Sequence, residues 1–116
     1  MSSHSTADID LTGMTCKPCE AGTPAMPEER IREHLAKVPG WEWLEREIAK
    51  TYAFKNYYET IAFVNAVAWI SHRENHHPDL EVGYNQCRVR YSTHSVGGLS
   101  ENDFICAAKV ESLLAM

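Results

Sequence analysis

Residues 81–93, EVGYNQCRVRYST, decide the fold because apolar and polar side chains alternate along them. Successive side chains of a β-strand point to opposite faces, so this alternation is typical of a strand buried on one side. The apolar positions are Cys87, Val89 and Tyr91, and the positions between them are Arg88 and Arg90. The stretch predicts a β-hairpin whose turn lies near Asn85 and Gln86.

A second, partly alternating stretch precedes it at residues 41–54, WEWLEREIAKTYAF. It is rich in aromatic side chains, which favour strands. We interpret it as two strands joined by a turn near Arg46 and Glu47. All four predicted strands can then pair through hairpins or as neighbours.

Three segments carry the signals of helices. Pro27 precedes two glutamates and predicts the start of the first helix, which Pro39-Gly40 ends. Asn56 can cap the second helix, which must stop before Pro78 because the residue preceding a proline avoids the helical region. Ser100, with an aspartate three residues later, caps the last helix. The second helix carries an apolar stripe that we interpret as its core face: Ile61, Val64, Val67, Ala68 and Ser71.

The resulting order, α-β-β-α-β-β-α, predicts an α+β fold. In such a fold three helices pack on one face of a four-stranded antiparallel sheet. The chain of 116 residues is long enough for one domain with its own core, which we place at residues 25–116. Residues 1–24 are interpreted as a flexible and irregular N-terminal lead-in that contains a C-x-x-C motif.

The charge and hydropathy of the chain argue against two classes of partner. A formal net charge of -5 argues against nucleic acid, which needs a basic surface. No apolar run approaches the roughly 18 residues of a membrane span, so no membrane association is expected. The opening residues, MSSHSTADID, lack the basic start and the apolar stretch of a secretory signal. We therefore expect a cytoplasmic protein with reduced cysteines.

The four cysteines do not show the spacing of a complete structural zinc site. Cys16-Lys-Pro-Cys19 resembles half of such a site, or a redox motif, but Cys87 and Cys106 stand singly and offer no second pair. A thioredoxin-like motif would follow a strand and open a helix, whereas this one lies in the lead-in. Zinc binding stays open, and no catalytic role is expected.

Residues 72–78, HRENHHP, gather three histidines around one glutamate. His72 and His76 are four apart and would share a helix face, as zinc ligands do, but Glu74 is out of place for the base of such a motif. Histidines near a helix C-terminus are also favoured by the helix dipole alone. Adjacent His76 and His77, where a helix gives way to an extended segment, would instead flank a substrate for acid–base chemistry. The residues alone leave these three interpretations open.

The histidine stretch belongs to a longer pattern that resembles the pterin-4a-carbinolamine dehydratase family, in its bacterial branch. That pattern has an acidic or basic residue four positions before His-His-Pro, followed at fixed spacing by an aromatic residue, a histidine and an aspartate. The matching positions are His72, His76-His77-Pro78, Tyr84, His94 and Asp103. The flanking stretches FKNYYETIAFVNAV and GGLSENDFICAAKV are also similar, and the resemblance runs from about Leu11 to the C-terminus.

The resemblance implies the activity of a 4a-hydroxytetrahydrobiopterin dehydratase, a carbon–oxygen lyase. Such enzymes convert 4a-hydroxytetrahydropterin to quinonoid dihydropterin and water by histidine acid–base catalysis, with neither a metal nor an organic cofactor. They recycle the pterin cofactor of aromatic amino acid hydroxylation, which links them functionally to phenylalanine hydroxylase. The resemblance further implies a homodimer or homotetramer.

The resemblance also assigns the residues of the site. The catalytic set that it implies is His76, His77, His94 and Asp103. Asp103 is expected to cap the last helix as well, and the two roles are compatible. The substrate-binding set that it implies is His72, Glu74, Pro78, Ser92 and Thr93. Many relatives carry glutamate in place of His72, as an acceptor for the pterin edge, and Glu74 is the candidate to substitute for it.

Two other functions stay open beside this one. Some family members act as dimerisation cofactors of transcription regulators, and the chain as a binding module of that kind is the first. A dehydratase that acts on another pterin, in molybdenum-cofactor metabolism, is the second, because the motif recognises the ring and not its side chain. The complete set of histidines favours catalysis over a scaffold alone.

Overall fold

The computed structural model describes residues 10–20 and 22–114. Its elements are the helices α1 (Glu28–Leu35), α2 (Tyr57–Glu74) and α3 (Glu101–Leu113) and the strands β1 (Glu42–Leu44), β2 (Glu47–Ala53), β3 (Asp79–Val82) and β4 (Gln86–Tyr91). The predicted order α-β-β-α-β-β-α and the α+β class are confirmed. Of the lead-in at residues 1–24, which is expected to be flexible and irregular, residues 1–9 and 21 lie outside the described residues. No helix within the described ranges is long and apolar enough to cross a membrane.

The sheet is antiparallel and runs in the order β1-β2-β4-β3. The predicted alternation of β4 is confirmed, and its buried positions are Cys87, Val89 and Tyr91. Arg88 and Arg90 lie on the opposite face, where Arg88 forms ion pairs with Glu42 and Glu81. Charged side chains therefore cover part of the sheet face that the helices leave open.

Both hairpin turns lie slightly earlier than the sequence indicates. The first turn is Glu45-Arg46, one residue before the predicted position, and Glu45 has a φ of 55°. The second covers residues 83–85, and a hydrogen bond of 2.8 Å from the Gly83 amide to the Gln86 carbonyl closes it. Polar side chains such as Glu47 and Gln86 suit a turn as well as a solvent-facing strand position, so alternation alone misplaces the boundary.

The core face of α2 differs from the predicted stripe. Its buried residues are Thr60, Phe63, Val67 and Ile70. Of the predicted stripe, Val67 is therefore correct, whereas Ala68 is exposed and its assignment to the core is wrong. Thr60 is missed because it is polar, yet its hydroxyl lies 3.0 Å from the Asn56 carbonyl and 2.9 Å from the Tyr84 carbonyl. A polar group with such partners can be buried at little cost.

Local backbone signals set the two helix ends that matter for the site. α2 ends at Glu74 because Asn75 adopts the left-handed conformation (φ 53°, ψ 41°), which asparagine tolerates better than most residues. α3 begins with the predicted capping box, in which Ser100 and Asp103 exchange side-chain and backbone hydrogen bonds. The chain thus leaves α2 abruptly and enters α3 through a fixed turn.

Candidate active site

The end of α2, the end of β4 and the start of α3 converge on one fully buried carboxylate, Asp103. Its Oδ1 atom lies 2.6 Å from Nε2 of His76, which follows α2. Its Oδ2 atom accepts hydrogen bonds from the Thr93 hydroxyl, 2.8 Å away, and from the Ser100 amide, 2.9 Å away. Such donors are what a carboxylate needs when water cannot reach it.

Asp103 therefore caps α3, as predicted, and also contacts a histidine of the cleft. An ionised carboxylate only accepts hydrogen bonds, so His76 must present an N–H at Nε2. This leaves Nδ1 of His76 as the nitrogen that is able to accept a proton. The carboxylate thus fixes the tautomer and the direction of the imidazole.

The ring of His76 is held on its other sides as well. It stacks on the ring of Tyr91, with centroids 5.8 Å apart and planes 10° apart. Its own amide donates to the Ser71 carbonyl at 3.1 Å, although it lies beyond the last residue of α2. The side chain remains 13% exposed, so one edge of the ring still reaches the surface. A reactive group held in this way needs little reorganisation when it reacts.

His77 and His94 share a cleft with His76, but both are exposed. The cleft measures about 190 Å³, and Ser92 and Thr93 also line it. The side chains of His76 and His77 have different surroundings: one reaches the buried carboxylate and the other reaches solvent. The fold therefore brings three imidazoles from two distant parts of the chain to one cavity.

A small loop carries His94 beyond the end of β4. The amide of Thr93 donates to the carbonyl of Gly98 at 2.8 Å, and these two residues form an isolated bridge. Gly97 has a φ of 71°, and its amide donates to the His94 carbonyl at 3.0 Å. The loop is thus closed by its own backbone, and it presents the His94 imidazole without burying it.

Two charged residues of the cleft escaped the sequence analysis, namely Asp79 of β3 and Arg90 of β4. They stand directly opposite each other in the antiparallel pair. The alternation along β4 shows only that Arg90 points away from the core. The register that brings it beside Asp79 is a long-range property, which a single sequence does not display. A carboxylate and a guanidinium give the cleft both acceptors and donors for a polar ring.

His72 and Glu74 do not join the three histidines of this cleft. The left-handed Asn75 turns the chain before His76, so His72 and His76 do not share a helix face. His72 is exposed. Glu74 accepts a hydrogen bond of 2.8 Å from the amide of Cys16. Its carboxylate therefore anchors the segment that precedes α1.

The other elements of the pattern lie at the margin of the site. Pro78 is half-buried, and it keeps His77 out of the helical region. Tyr84 lies in the turn between β3 and β4, where it is exposed and stacks on Tyr57 at a centroid distance of 6.5 Å. Neither Pro78 nor Tyr84 lines the cleft that holds the three histidines.

The fold brings one distant cysteine to the C-x-x-C motif. Cys106, which stands singly in the sequence, has its sulfur 3.5 Å from Sγ of Cys16. The sulfur of Cys19 instead accepts a hydrogen bond of 3.6 Å from the side-chain amide of Asn102. Over residues 10–20 and 22–114, no group of three or more His, Cys, Asp or Glu side chains is placed to hold a metal ion.

Comparisons of the chain with known sequences point to one family. A model of the family described as pterin 4 alpha carbinolamine dehydratase matches residues 24–113. A protein of Nitrosospira multiformis with the name "Putative pterin-4-alpha-carbinolamine dehydratase" is 59% identical over 104 residues. That match covers 90% of this chain and 92% of the relative.

Two solved structures share the fold. The crystal structure of a transcriptional coactivator/pterin dehydratase from Brucella melitensis matches with a TM-score of 0.74 and 26% identity, over 77% of this chain and 97% of that one. A pterin dehydratase-like protein described as a RuBisCO assembly factor in the alpha-carboxysome reaches a TM-score of 0.53 at 26% identity, over 63% and 84%. The family model and the relative both span most of the chain. The chain therefore belongs to the pterin 4 alpha carbinolamine dehydratase family.

Proposed function

We propose that the protein is a 4a-hydroxytetrahydrobiopterin dehydratase, a lyase that converts 4a-hydroxytetrahydropterin to quinonoid dihydropterin and water. The observation that carries the proposal is the cleft itself. His76 is fixed there by a buried carboxylate, and His77 and His94 open to the same cavity. Membership of the dehydratase family supports the same reaction.

The reaction asks for proton transfer and little else. The bond between C4a and the hydroxyl oxygen breaks as that oxygen takes a proton and leaves as water. The ring nitrogen beside C4a gives up its proton, and the electrons of the ring complete the new double bond. Imidazoles exchange protons near neutral pH, so the histidines of the cleft suit both transfers without a metal.

We assign different tasks to the three histidines. We assign His77 and His94 to the leaving hydroxyl and the ring nitrogen. Both side chains are exposed, so they can exchange protons with water between turnovers. His76 is the base or the positioning group, since its Nε2 is committed to Asp103 and only Nδ1 is free to accept. Asp103 acts through His76 and does not touch the substrate.

The binding of the pterin ring falls to the walls of the same cleft. Ser92 and Thr93 line it after β4, and Pro78 fixes the extended path of the chain beside His77. His72 and Glu74, which the resemblance placed at the amino-pyrimidine edge of the pterin, do not line this cleft. We therefore leave that edge to residues of the cleft and omit both from the proposed contacts.

The wider role follows from the reaction as a proposal of its own. The protein would recycle the pterin cofactor of aromatic amino acid hydroxylation, in the cytoplasm, through a substrate shared with phenylalanine hydroxylase. A homodimer or homotetramer is the proposed assembly, without nucleic acid or membrane as a partner.

Binding functions are the second candidate, and the names of the two structural neighbours favour it. One is described as a transcriptional coactivator and the other as an assembly factor. A scaffold would not require the His76–Asp103 contact and the two exposed histidines in one cleft.

A dehydratase for another pterin, in molybdenum-cofactor metabolism, would use the same cleft. An assay in which the two pterin substrates compete distinguishes the two activities.

Stopped-flow kinetics with 4a-hydroxytetrahydropterin test the proposal, with and without a chelator. We expect acceleration that the chelator does not change. Separate replacements of His76, His77 and His94 by glutamine should lower turnover by unequal factors of about 10²–10⁴. Each variant should keep the wild-type circular dichroism and Tm, which separates lost chemistry from lost folding. Wild-type protein without acceleration, or three variants at near-native rates, would contradict the proposal.

A further inference from the structure

Two cysteine thiols lie in contact behind the histidine cleft. The Sγ atoms of Cys16 and Cys106 are 3.5 Å apart, within hydrogen-bond distance for sulfur. They are separated by 90 positions in the sequence, so their meeting is a property of the fold. The proposed dehydration uses neither of them.

The segment that carries Cys16 is held on both sides of this residue. The amide of Cys16 donates to Glu74 at 2.8 Å. The amide of Lys17 donates to the side chain of Asn102 at 3.0 Å, and the same side chain donates back to the Lys17 carbonyl at 2.7 Å. Because Asn102 and Cys106 both belong to α3, these hydrogen bonds hold the Cys16 thiol beside the Cys106 thiol.

We propose that Cys16 and Cys106 form a reversible modification site, at which a peroxide converts the two thiols to a disulfide that ties the N-terminal segment to α3. The site rests on the contact between the two sulfurs and on their different exposure. It stands independently of the dehydratase activity.

The exposure of the two thiols decides which of them reacts with the peroxide first. Cys16 is half-buried and borders an open cleft of about 330 Å³, whereas Cys106 is fully buried. Its hydrogen bond with Cys16 and its burial both raise the pKa of the Cys106 thiol, which keeps that thiol protonated and inert toward an outside oxidant. The peroxide therefore meets Cys16 first.

The chemistry balances with one molecule of hydrogen peroxide. The Cys16 thiol gives up its proton and its sulfur attacks one oxygen of the peroxide, so the O–O bond breaks, a sulfenic acid forms and the first water leaves. The sulfur of Cys106 then attacks the sulfur of Cys16. Its proton leaves with the hydroxyl as a second water, and the S–S bond forms. Two thiols are oxidised by two electrons and the peroxide is reduced to two molecules of water.

The other cysteines have different surroundings. Cys19 contacts the Asn102 side-chain amide and not a second sulfur. Cys87 is fully buried in the middle of the sheet, and burial raises the pKa of its thiol. Both serve as matched controls, one for the C-x-x-C motif and one for a buried thiol on β4.

The proposed disulfide would fix one wall of a cleft that adjoins the histidines. Residues 16–19 form that wall, and His76 and Thr93 lie across from them. The sulfur of Cys106 is also 3.9 Å from the carbonyl oxygen of His76. To form a bond of about 2.05 Å the two sulfurs must approach by roughly 1.5 Å, which the half-buried segment allows more easily than the helix.

The experiment treats the full-length protein with hydrogen peroxide, alkylates the remaining thiols and maps the tryptic peptides by mass spectrometry. We expect two of the four thiols to become protected and the peptide that contains both Cys16 and Cys19 to be linked to the one containing Cys106, with fragmentation of the linked pair locating the bond at Cys16. Dithiothreitol should restore four free thiols. The link should persist in Cys19→Ser and Cys87→Ala and disappear in Cys16→Ala and Cys106→Ala.

The oxidised protein should also melt at a higher temperature, by more than about 5 °C, because the disulfide closes a long loop of the unfolded chain. This measurement needs no variant, so it holds even if Cys106→Ala folds poorly. A link through Cys19, four thiols that stay free, or an unchanged Tm in linked protein would each overturn the proposal. Zinc that stays bound to the purified wild-type protein and is absent from Cys16→Ala would also overturn the proposal, because the cysteine would then be a metal ligand.

Discussion

Asp103 and Glu111, two carboxylates on α3, each gather several hydrogen-bond donors, yet only Asp103 belongs to the candidate site. The donors to Asp103 are His76, Thr93 and the backbone of Ser100. The donors to Glu111 are Trp41, Lys50 and Tyr52, all to the same oxygen. A buried or half-buried polar network is therefore not a sign of function in itself.

The difference lies in the partner of each carboxylate. Glu111 is paired with the ammonium of Lys50, a kind of group that normally serves as a fixed charge at neutral pH and not in proton transfer. Asp103 is paired with the imidazole of His76, and imidazole is the side-chain group that serves most often in acid–base catalysis; the other edge of this ring reaches the cleft. The partner of the carboxylate, and not the number of hydrogen bonds, therefore separates the network proposed for catalysis from the other one.

Replacement of Asp103 by asparagine should show the largest effect. The amide has one acceptor oxygen in place of two, so His76 loses its fixed tautomer. We expect kcat to fall by about 10²–10⁴-fold while KM changes by less than about 3-fold, because the role proposed for Asp103 is to position His76 and not to bind the pterin. Glu111→Gln is the matched control and should keep kcat within about 2-fold. An equal loss of kcat in the two variants would contradict the distinction between the two networks.

Replacement of Glu111 by glutamine should instead lower stability, by about 1–2 kcal/mol at neutral pH, because it weakens the hydrogen bonds from Lys50 and Tyr52. Burial alone would raise the pKa of Glu111, but the bonds from these residues and the lysine charge outweigh it and lower the pKa. The stabilisation is therefore present above the ordinary glutamate value of about 4.3 and is lost as the pH falls through the lower folded value.

Urea unfolding at a series of pH values measures this effect. The wild-type protein should lose part of its free energy of unfolding on acidification below about pH 4.3, and Glu111→Gln should lose less. Parallel curves for the two proteins would show that Glu111 contributes nothing to the acid sensitivity.

The smallest effect is expected at Asn75, whose left-handed backbone turns the chain toward Asp103. Asn75→Ala should lower the free energy of unfolding by about 1 kcal/mol, since alanine tolerates this conformation less well. Asn75→Gly, which suits a positive φ, should match the wild type within about 0.5 kcal/mol. Thermal melts of the wild type and the two variants measure this difference in stability. A Gly variant as unstable as the Ala variant would refute the role of the turn.

The sequence predicted those parts of the fold that depend on near neighbours. Ser100 with Asp103, and the alternation along β4, are visible within a few residues, and both are confirmed. Thr60 was missed because its burial depends on Tyr84, on a hairpin 24 positions away. The contact of Cys16 with Cys106 depends on the path of the entire chain.

The candidate site was predicted in the same uneven way. The spacing of His72 and His76 favoured a metal only on the assumption of a continuous helix, which the turn at Asn75 interrupts. The grouping of His76 with His94 came from the family pattern, since nothing in their local sequence brings them together. Arg90 was assigned to the correct face but not to the cleft, because strand register is not visible in a single chain.

The parallel stack of His76 on Tyr91 has a spectroscopic consequence. The ring current of the tyrosine displaces the NMR resonances of this imidazole, whereas the solvated rings of His77 and His94 should resonate near the positions of free histidine. The His76 signal should therefore be separated from the signals of His77 and His94 in one spectrum. A pH series would then follow the protonation of His76 by itself in the intact protein.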